Sequence, residues 1–322
     1  MKRLMVVYNP RSSGFGRVRD EVLAESRKLK GWAVGKYEVL DTNVDDNAER
    51  LARVLADGDL VVAAGGDGTA TIALNGAMLS GAKDVKLGVL GYGNFNDMAR
   101  TLGLSRLREI VAVADCKDSP CCRDCPCNGR VGEAWGLECL VNGKHWRWGM
   151  CYFTVGLFAE STAIFDQKDN RRELRTGRRG MLFSIWELAK WYFKHRKQRF
   201  LADFTLEKGE EKKHFVDMTD YVAINGVSMA KLMRGGRWFL SEGEFLSETR
   251  SLKSFWNLTR LMVRSVLVRV PGKETRGDVL RFDEPAKVMI QAEGEYKKFD
   301  GVRTIEVRKA RRPVKVVMRG AK

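Results

Sequence analysis

Residues 63–72 read AAGGDGTATI, and no other stretch constrains the fold as tightly. The run from Asp59 to Ala64 has the length and apolar content of a buried strand, and a helix-compatible run begins at about Thr69. Between them stand two glycines, an aspartate and a third glycine, so the chain turns tightly from strand to helix with its amides open to a ligand. The same order of elements recurs twice. Arg3–Tyr8 (RLMVVY) ends at Asn9-Pro10 and leads through NPRSSGFG (9–16) to a helical pattern over Val18–Leu29, with Val18, Val22, Leu23 and Leu29 on its apolar spacing. KLGVL (86–90) leads into GYGNFND (91–97). A further strand is predicted at 37–40 (YEVL) and a helix over Asp45–Leu55, with Ala48, Leu51, Ala52 and Leu55 on one face. Strands alternating with helices predict a doubly wound parallel sheet, whose ligands bind at the carboxyl ends of the strands, where all three glycine loops lie.

Glycine-rich loops that open helices suit phosphate groups, because bare amides and the positive end of a helix dipole both favour an anion. Asp67 is the exception within this pattern. A carboxylate beside phosphates repels them unless a divalent cation lies between, so Asp67 points to a metal–nucleotide rather than to bare phosphate. The whole chain fits an anionic partner: 57 Lys and Arg against 41 Asp and Glu give a net charge of +16. With 322 residues, two domains are expected. No apolar run reaches the ~18 residues of a membrane span, and the N-terminal MKRLMVVYNP lacks a signal-peptide core. A cytoplasmic location is therefore expected.

NPRSSGFG, GGDGT (65–69) and GNFNDMAR (93–100) resemble the three nucleotide-binding motifs of the diacylglycerol kinase catalytic domain family, which includes bacterial lipid kinases and is related to sphingosine and ceramide kinases. The resemblance continues in order through YFTVGLFAES (152–161), YVAINGVSMAKLMRGGRWFL (221–240) and IQAEGEY (290–296). It implies an α/β nucleotide-binding domain over 1–130, a β-sandwich lipid-substrate domain over 131–308, and a final stretch, about 309–322, that returns to the first domain. It further implies an ATP-dependent transfer of the γ-phosphate to a hydroxyl of diacylglycerol or a similar lipid, with ATP and Mg2+ as cofactors. Asn9, Gly65, Gly66, Gly68 and Thr69 would line the ATP phosphates and ribose, and Gly93, Asn94 and Asn96 would complete the cleft. Asp67, Asp97 and Glu293 would serve the metal. Glu295 would be the general base, a role for which Asp67 competes. A hydroxyl that attacks phosphorus must lose its proton, and a carboxylate within ~3 Å of it can accept that proton.

Several positions depart from the family pattern. Asn94 stands where a threonine is usual, Glu293 where an aspartate is usual, and SEGEFLSET (241–249) lacks the customary proline and aspartates. The second half reads as strands at 146–155, 203–208, 221–225, 287–292 and 303–308, with VKVVM at 314–318. Two helices interrupt them. Residues 180–197 have an apolar face wider than a surface helix needs and end in a basic cluster, His195 to Arg199. Residues 254–269 set Arg260 and Arg264 beside Phe255, Trp256, Leu258, Leu261 and Met262. Mixed aromatic and basic helices predict peripheral contact with an anionic membrane, with Trp186, Trp191, Phe255 and Trp256 as the residues to test.

Five of the seven cysteines fall in CKDSPCCRDCPC, 116–127. The paired Cys-x-x-Cys spacing of common zinc sites is absent there, so a solvated linker loop is the preferred reading over a zinc site. An NAD kinase-like enzyme is the alternative within the same chemistry, because it shares the glycine–aspartate motif. A non-catalytic relative that binds lipid or nucleic acid is the alternative outside it. No nucleic-acid reading module is recognisable, and no nucleic-acid partner is expected. A homodimer is left open.

Overall fold

A computed structural model describes residues 2–40, 43–116, 128–165, 178–195, 197–229, 233–267 and 272–320. The first sheet has six strands in the order β2-β1-β3-β4-β18-β5. These are β1 (Lys2–Tyr8), β2 (Trp32–Glu38), β3 (Leu60–Gly65), β4 (Lys86–Gly91), β5 (Gly129–Ala134) and β18 (Val314–Arg319). All neighbouring pairs are parallel except β18 with β5. Side chains alternate across the strands into two cores: Leu4, Val6 and Tyr8 face one, Met5 and Val7 the other.

Helices cover both faces. On one side lie α1, built of turns Phe15–Arg17, Val18–Leu23 and Ala24–Ser26 with a π-helical middle, and α5 (Leu107–Asp115). On the other lie α2 (Val44–Val54) and α3 (Asp67–Leu79), with α4 (Asp97–Leu102) just beyond the carboxyl end of β4. Helix α1 begins and ends about three residues before its sequence pattern suggests, and β2 runs over Trp32–Glu38 rather than 37–40. The pairing Lys2↔Trp32 through Tyr8↔Glu38 sets the register of β2, and such long-range pairing outweighs local apolar content.

The second sheet has ten antiparallel strands, with β15-β14-β11-β8-β16-β17-β6-β7 as its main path and β9 and β10 appended to β16. These are β6 (Leu137–Val141), β7 (Lys144–Gly149), β8 (Tyr152–Gly156), β9 (Phe204–Lys208), β10 (Glu211–Phe215), β11 (Asp220–Ile224), β14 (Phe245–Arg250), β15 (Lys273–Thr275), β16 (Gly277–Ala292) and β17 (Glu295–Lys309), while β12 (Ser228–Met229) and β13 (Met233–Arg234) pair only with each other among the described residues. One core joins Cys139 of β6, Phe204 of β9, Tyr221 of β11, Phe245 of β14 and Ile305 of β17. Strands distant in the sheet thus meet through their inner faces, and the sheet curls into a sandwich. The long β16–β17 hairpin bends at two irregularities, between Arg281 and Val288, which let it curl.

The expected single strand at 146–155 is two strands. Met150 and Cys151 part β7 from β8, and Asn225 donates through Nδ2 to the Met150 carbonyl (2.7 Å) and through its amide to the Cys151 carbonyl (2.6 Å). The chain leaves the first sheet after Ala134, enters the second at Leu137 and comes back after Lys309 into β18, so β5 belongs wholly to the first sheet and carries that domain past residue 130 to Ala134. The cysteine-rich stretch lies outside the described residues except for Cys116, which is half-buried.

Helix α3 is buried on all sides from Thr69 to Met78 because it lies between the domains. Its Asn75 acts as a stand-in strand: Nδ2 donates to the Trp148 carbonyl and Oδ1 accepts from the Trp148 amide, both at 2.9 Å. Nearby, Arg147 of β7 donates through Nε (3.0 Å) and Nη2 (2.6 Å) to Asp45, in the first turn of α2. Asn75→Leu leaves both Trp148 backbone groups unpaired at a buried seam, and each such loss costs about 1–3 kcal/mol. The expected result is a chemical denaturation midpoint lower by a corresponding amount, and an unchanged midpoint would remove Asn75 as the tie between the domains.

Candidate functional site

The three glycine loops press against one another at the carboxyl ends of β1, β3 and β4. A Cβ on Gly14 would strike the Tyr92 carbonyl, one on Gly93 would strike the Gly66 backbone, and one on Gly66 would lie 3.3 Å from the Gly93 Cα. The absence of side chains at these positions allows backbone to meet backbone. Gly65 packs on the buried Thr69, whose Oγ1 would lie 2.5 Å from an added Cβ. Gly66 is the N-cap of α3 and brings no side-chain hydrogen bond to its first turn, so those amides face the cleft for a ligand or solvent to satisfy.

Asp67 opens α3 and is half-buried. Its Oδ2 accepts from the Asn96 amide (2.8 Å) and its Oδ1 from the Asp97 amide (2.7 Å). The carboxylate therefore caps α4, as suits the positive end of a helix. Burial pushes Asp67 up to about 7, the neighbouring Asp97 adds to the rise, and the amides of Asn96, Asp97 and Met98 oppose it. Asn96 adopts a left-handed conformation (φ 56°) and closes its loop by exchanging two 2.8 Å hydrogen bonds with Gly93. Asn94 is half-buried in the same bend. Asn9 follows β1 and accepts from the Arg11 amide at 2.8 Å. Arg17 lies over the Tyr92 ring, 5.1 Å from its centroid.

The second domain supplies Glu293 and Glu295. Ala292 pairs with Glu295, and Glu293 (φ 54°) and Gly294 (φ 86°) make the two-residue turn between them. Positive φ at both positions defines a type I′ turn, which favours Asn or Asp followed by Gly. A glutamate there costs on the order of 1 kcal/mol in backbone strain, and its extra methylene lets the carboxylate reach back to the amides of Cys151 and Tyr152, the latter at 3.3 Å. Glu293 is fully buried, and its Oε2 has no hydrogen-bond partner among the described residues. Burial pushes it up to about 8, with Asp67 and Asp97 adding to the rise against the Cys151 and Tyr152 amides. The same turn delivers Glu295 to the start of α3: a Cβ on Gly68 would strike Oε1 of Glu295 and lie 3.2 Å from its carboxyl carbon.

Asp97 is buried and accepts from Arg100 (2.8 Å) and from the Ser228 hydroxyl (2.7 Å), which belongs to the second domain. Asp67, Asp97 and Glu293 thus share one electrostatic field while each is held by its own partners, and among the described residues no three His, Cys, Asp or Glu side chains form a metal-holding group. The carboxylates are oxygen donors of the kind a hard divalent cation requires, but they do not converge on one point, and the unpartnered Oε2 of Glu293 is closed off from the surface. Sequence reasoning did not single out Ser228, Asn75 or Gly14, since nothing in the local pattern tells which serine, asparagine or loop glycine meets a residue far along the chain.

Because Glu293 titrates higher in the folded chain than unfolded, its contribution to stability is fully present below about pH 4.5 and is lost as pH rises through about 8. Glu293→Gln removes that titration. Its thermal midpoint relative to wild type is expected to climb between those two pH values, and a difference constant with pH would contradict the buried carboxyl.

Residues 3–118 match the family described as the diacylglycerol kinase catalytic domain. The chain is 33% identical over 117 residues to a diacylglycerol kinase of Bacillus subtilis (strain 168), an overlap of 36% of this chain and 37% of that protein. It is 33% identical over 105 residues to a diacylglycerol kinase of Staphylococcus carnosus (strain TM300), covering 32% of this chain and 33% of the relative. The matched stretch thus spans about a third of these relatives' length, and the family match over residues 3–118 contains all three glycine loops. Across nearly the whole chain the fold is that of a crystal structure described as a diacylglycerol kinase from Bacillus anthracis str. Sterne, with a TM-score of 0.62, 12% identity, and 98% and 96% of the two chains covered. At that identity the likeness is one of fold.

Proposed function

We propose that this chain is an ATP-dependent lipid kinase that transfers the γ-phosphate to a hydroxyl of diacylglycerol or a similar lipid. The observation that carries the reading is Glu295 packed against Gly68, which sets a carboxylate of the second domain at the phosphate-facing end of α3. The match of residues 3–118 to the diacylglycerol kinase catalytic domain supports it. In this reading the amides of the glycine loops and the first turn of α3 hold the phosphates, and the lipid hydroxyl approaches from the second domain. Glu295 takes the hydroxyl proton as oxygen bonds to phosphorus. Mg2+ would come with the nucleotide, offset phosphate charge and keep the γ-phosphate oriented, and Asp67, the half-buried carboxylate at the start of α3, would face it, while the buried Asp97 and Glu293 stay with their protein partners.

The test is transfer of labelled γ-phosphate from Mg-ATP to diacylglycerol, monoacylglycerol, sphingosine and ceramide in mixed micelles, with NAD offered in parallel. Label on a lipid is the expected result. Label on NAD alone, or on no acceptor despite bound ATP, would overturn the reading.

The substrate's location argues for peripheral membrane contact. Among the described residues no helix is long and apolar enough to cross a membrane. Two helices of the second domain that follow α6 (Leu157–Phe165), α7 (Arg178–His195) and α8 (Phe255–Leu267), instead expose mixed stripes. Trp186, Lys190, Phe193 and Lys194 are exposed on α7, and Trp256, Arg260, Val263 and Arg264 on α8. Trp256 is 76% exposed and Trp186 63%, values costly in water and natural at a headgroup layer. A Trp186→Ala/Trp256→Ala variant is expected to bind vesicles containing anionic lipid at least about tenfold more weakly. Co-sedimentation measures this, and undiminished binding would exclude these helices as the docking face.

A further inference from the structure

Among the described residues two connections join the two domains, Ala134 to Leu137 and Lys309 to Val314, and they run side by side, with the Ala310 amide donating to the Gly136 carbonyl at 2.9 Å. The side chain of Lys309 lies at this crossing and is buried. Its Nζ donates to Asn225 Oδ1 (2.6 Å), the Trp238 carbonyl (2.7 Å) and the Trp135 carbonyl (3.4 Å). All three acceptors are neutral oxygens, so no carboxylate among them offsets the loss of water around the ammonium. Burial alone pushes Lys309 down to about 7. A long basic side chain costs more here than an apolar one of the same length, so its ability to join three segments becomes the feature to explain.

Those contacts lead to the site. Asn225, whose Oδ1 receives the lysine, donates through Nδ2 to the carbonyls of Trp135 (2.8 Å) and Met150 (2.7 Å), and its amide donates to the Cys151 carbonyl (2.6 Å). On the other side of the same peptide unit, the Cys151 amide donates to Glu293 in the turn that presents Glu295 to Gly68. The sheet brings the two ends of the hairpin together as well, because Leu137 pairs with Lys309 on one side and with Gly149 on the other, and a Cβ on Gly149 would lie 3.2 Å from Glu293 Oε1. One strand, β17, therefore carries Glu295 at its start and the crossover lysine at its end.

We propose that Lys309 is a positioning residue: through Asn225 and the Met150–Cys151 peptide it holds the Glu293–Gly294 turn, and with it Glu295, in register with the start of α3. Its activity readout rests on the phosphoryl-transfer reading above. Its structural readout does not.

Lys309→Met keeps the length of the side chain and removes the donors. In the full-length protein, the expected result is a kcat for transfer to the micellar lipid lowered about tenfold or more, with the KM for ATP within about twofold of wild type. Hydrogen exchange is expected to quicken at residues 150–152 and 292–296 while β1 and β3 keep their protection. Asn225→Asp breaks the same relay at its next link and serves if the methionine variant does not fold. Losses from Lys309→Met and Asn225→Asp combined are expected to be no larger than the greater of the two alone. Quickened exchange confined to residues 135, 225 and 309, an unchanged kcat, or losses that multiply would each overturn the proposal. Should wild type transfer phosphate to no acceptor, the kinase reading fails while the exchange pattern still decides the relay.

Discussion

Asp67→Asn is expected to lower γ-phosphate transfer by about a hundredfold to a thousandfold, the range for removing a preorganised charged group from a reacting centre. The substitution also reaches the fold. The asparagine oxygen can accept from one of the two amides that Asp67 now holds, at Asn96 and Asp97, while its NH2 group must face the other donor. One buried amide at the start of α4 then goes unpaired, which costs about 1–3 kcal/mol. Paired measurements of kcat and chemical denaturation separate these effects. A folded variant with near-normal transfer would remove Asp67 from the chemistry, and an inactive one with full stability would show that the cap on α4 contributes little. The structure thus corrects any view of Asp67 as a group that only faces phosphate and metal, because the same carboxylate organises the loop that closes the cleft.

The parts of this site that could be read from sequence are those whose chemistry is local. GGDGT follows β3 and opens α3, and its glycines are explained by contacts within and between neighbouring loops. Glu295 emerged from a resemblance in motif, and no local signal shows that Gly68 would meet it. Less legible were features set by pairing across long stretches of chain. Strand β2 takes its register from β1, the run at 146–155 breaks where Asn225 and Glu293 converge, and β16 and β17 together form a hairpin longer than the separate strands predicted at 287–292 and 303–308. Buried polar residues were the hardest to identify. Lys309 stands in RKARRPVK, where composition describes a solvated basic run, and only the crossing of two connections buries it. Asn75 reads as one small polar residue on a helix until α3 is found to be covered on every side.

Glu295→Gln is expected to reduce kcat by about a hundredfold to ten-thousandfold, the usual contribution of a positioned base, while ATP binding stays within about twofold. The amide keeps the size of the carboxylate and cannot accept the hydroxyl proton. Gly68→Ala tests the same contact from the opposite side, because its Cβ strikes Oε1 of Glu295 and pushes the carboxylate from the mouth of α3. Gly68 is the second residue of α3, where helical backbone accepts an alanine, so a well-folded Gly68→Ala protein with low kcat would trace the loss to the displaced base. The two substitutions act on one group, and the double variant is expected to be no worse than Glu295→Gln alone. Multiplying losses would mean that Gly68 matters for phosphate contact independently of Glu295. A Glu295→Gln protein that binds ATP more weakly and turns over normally at saturation would assign the carboxylate to nucleotide binding and leave Asp67 as the base.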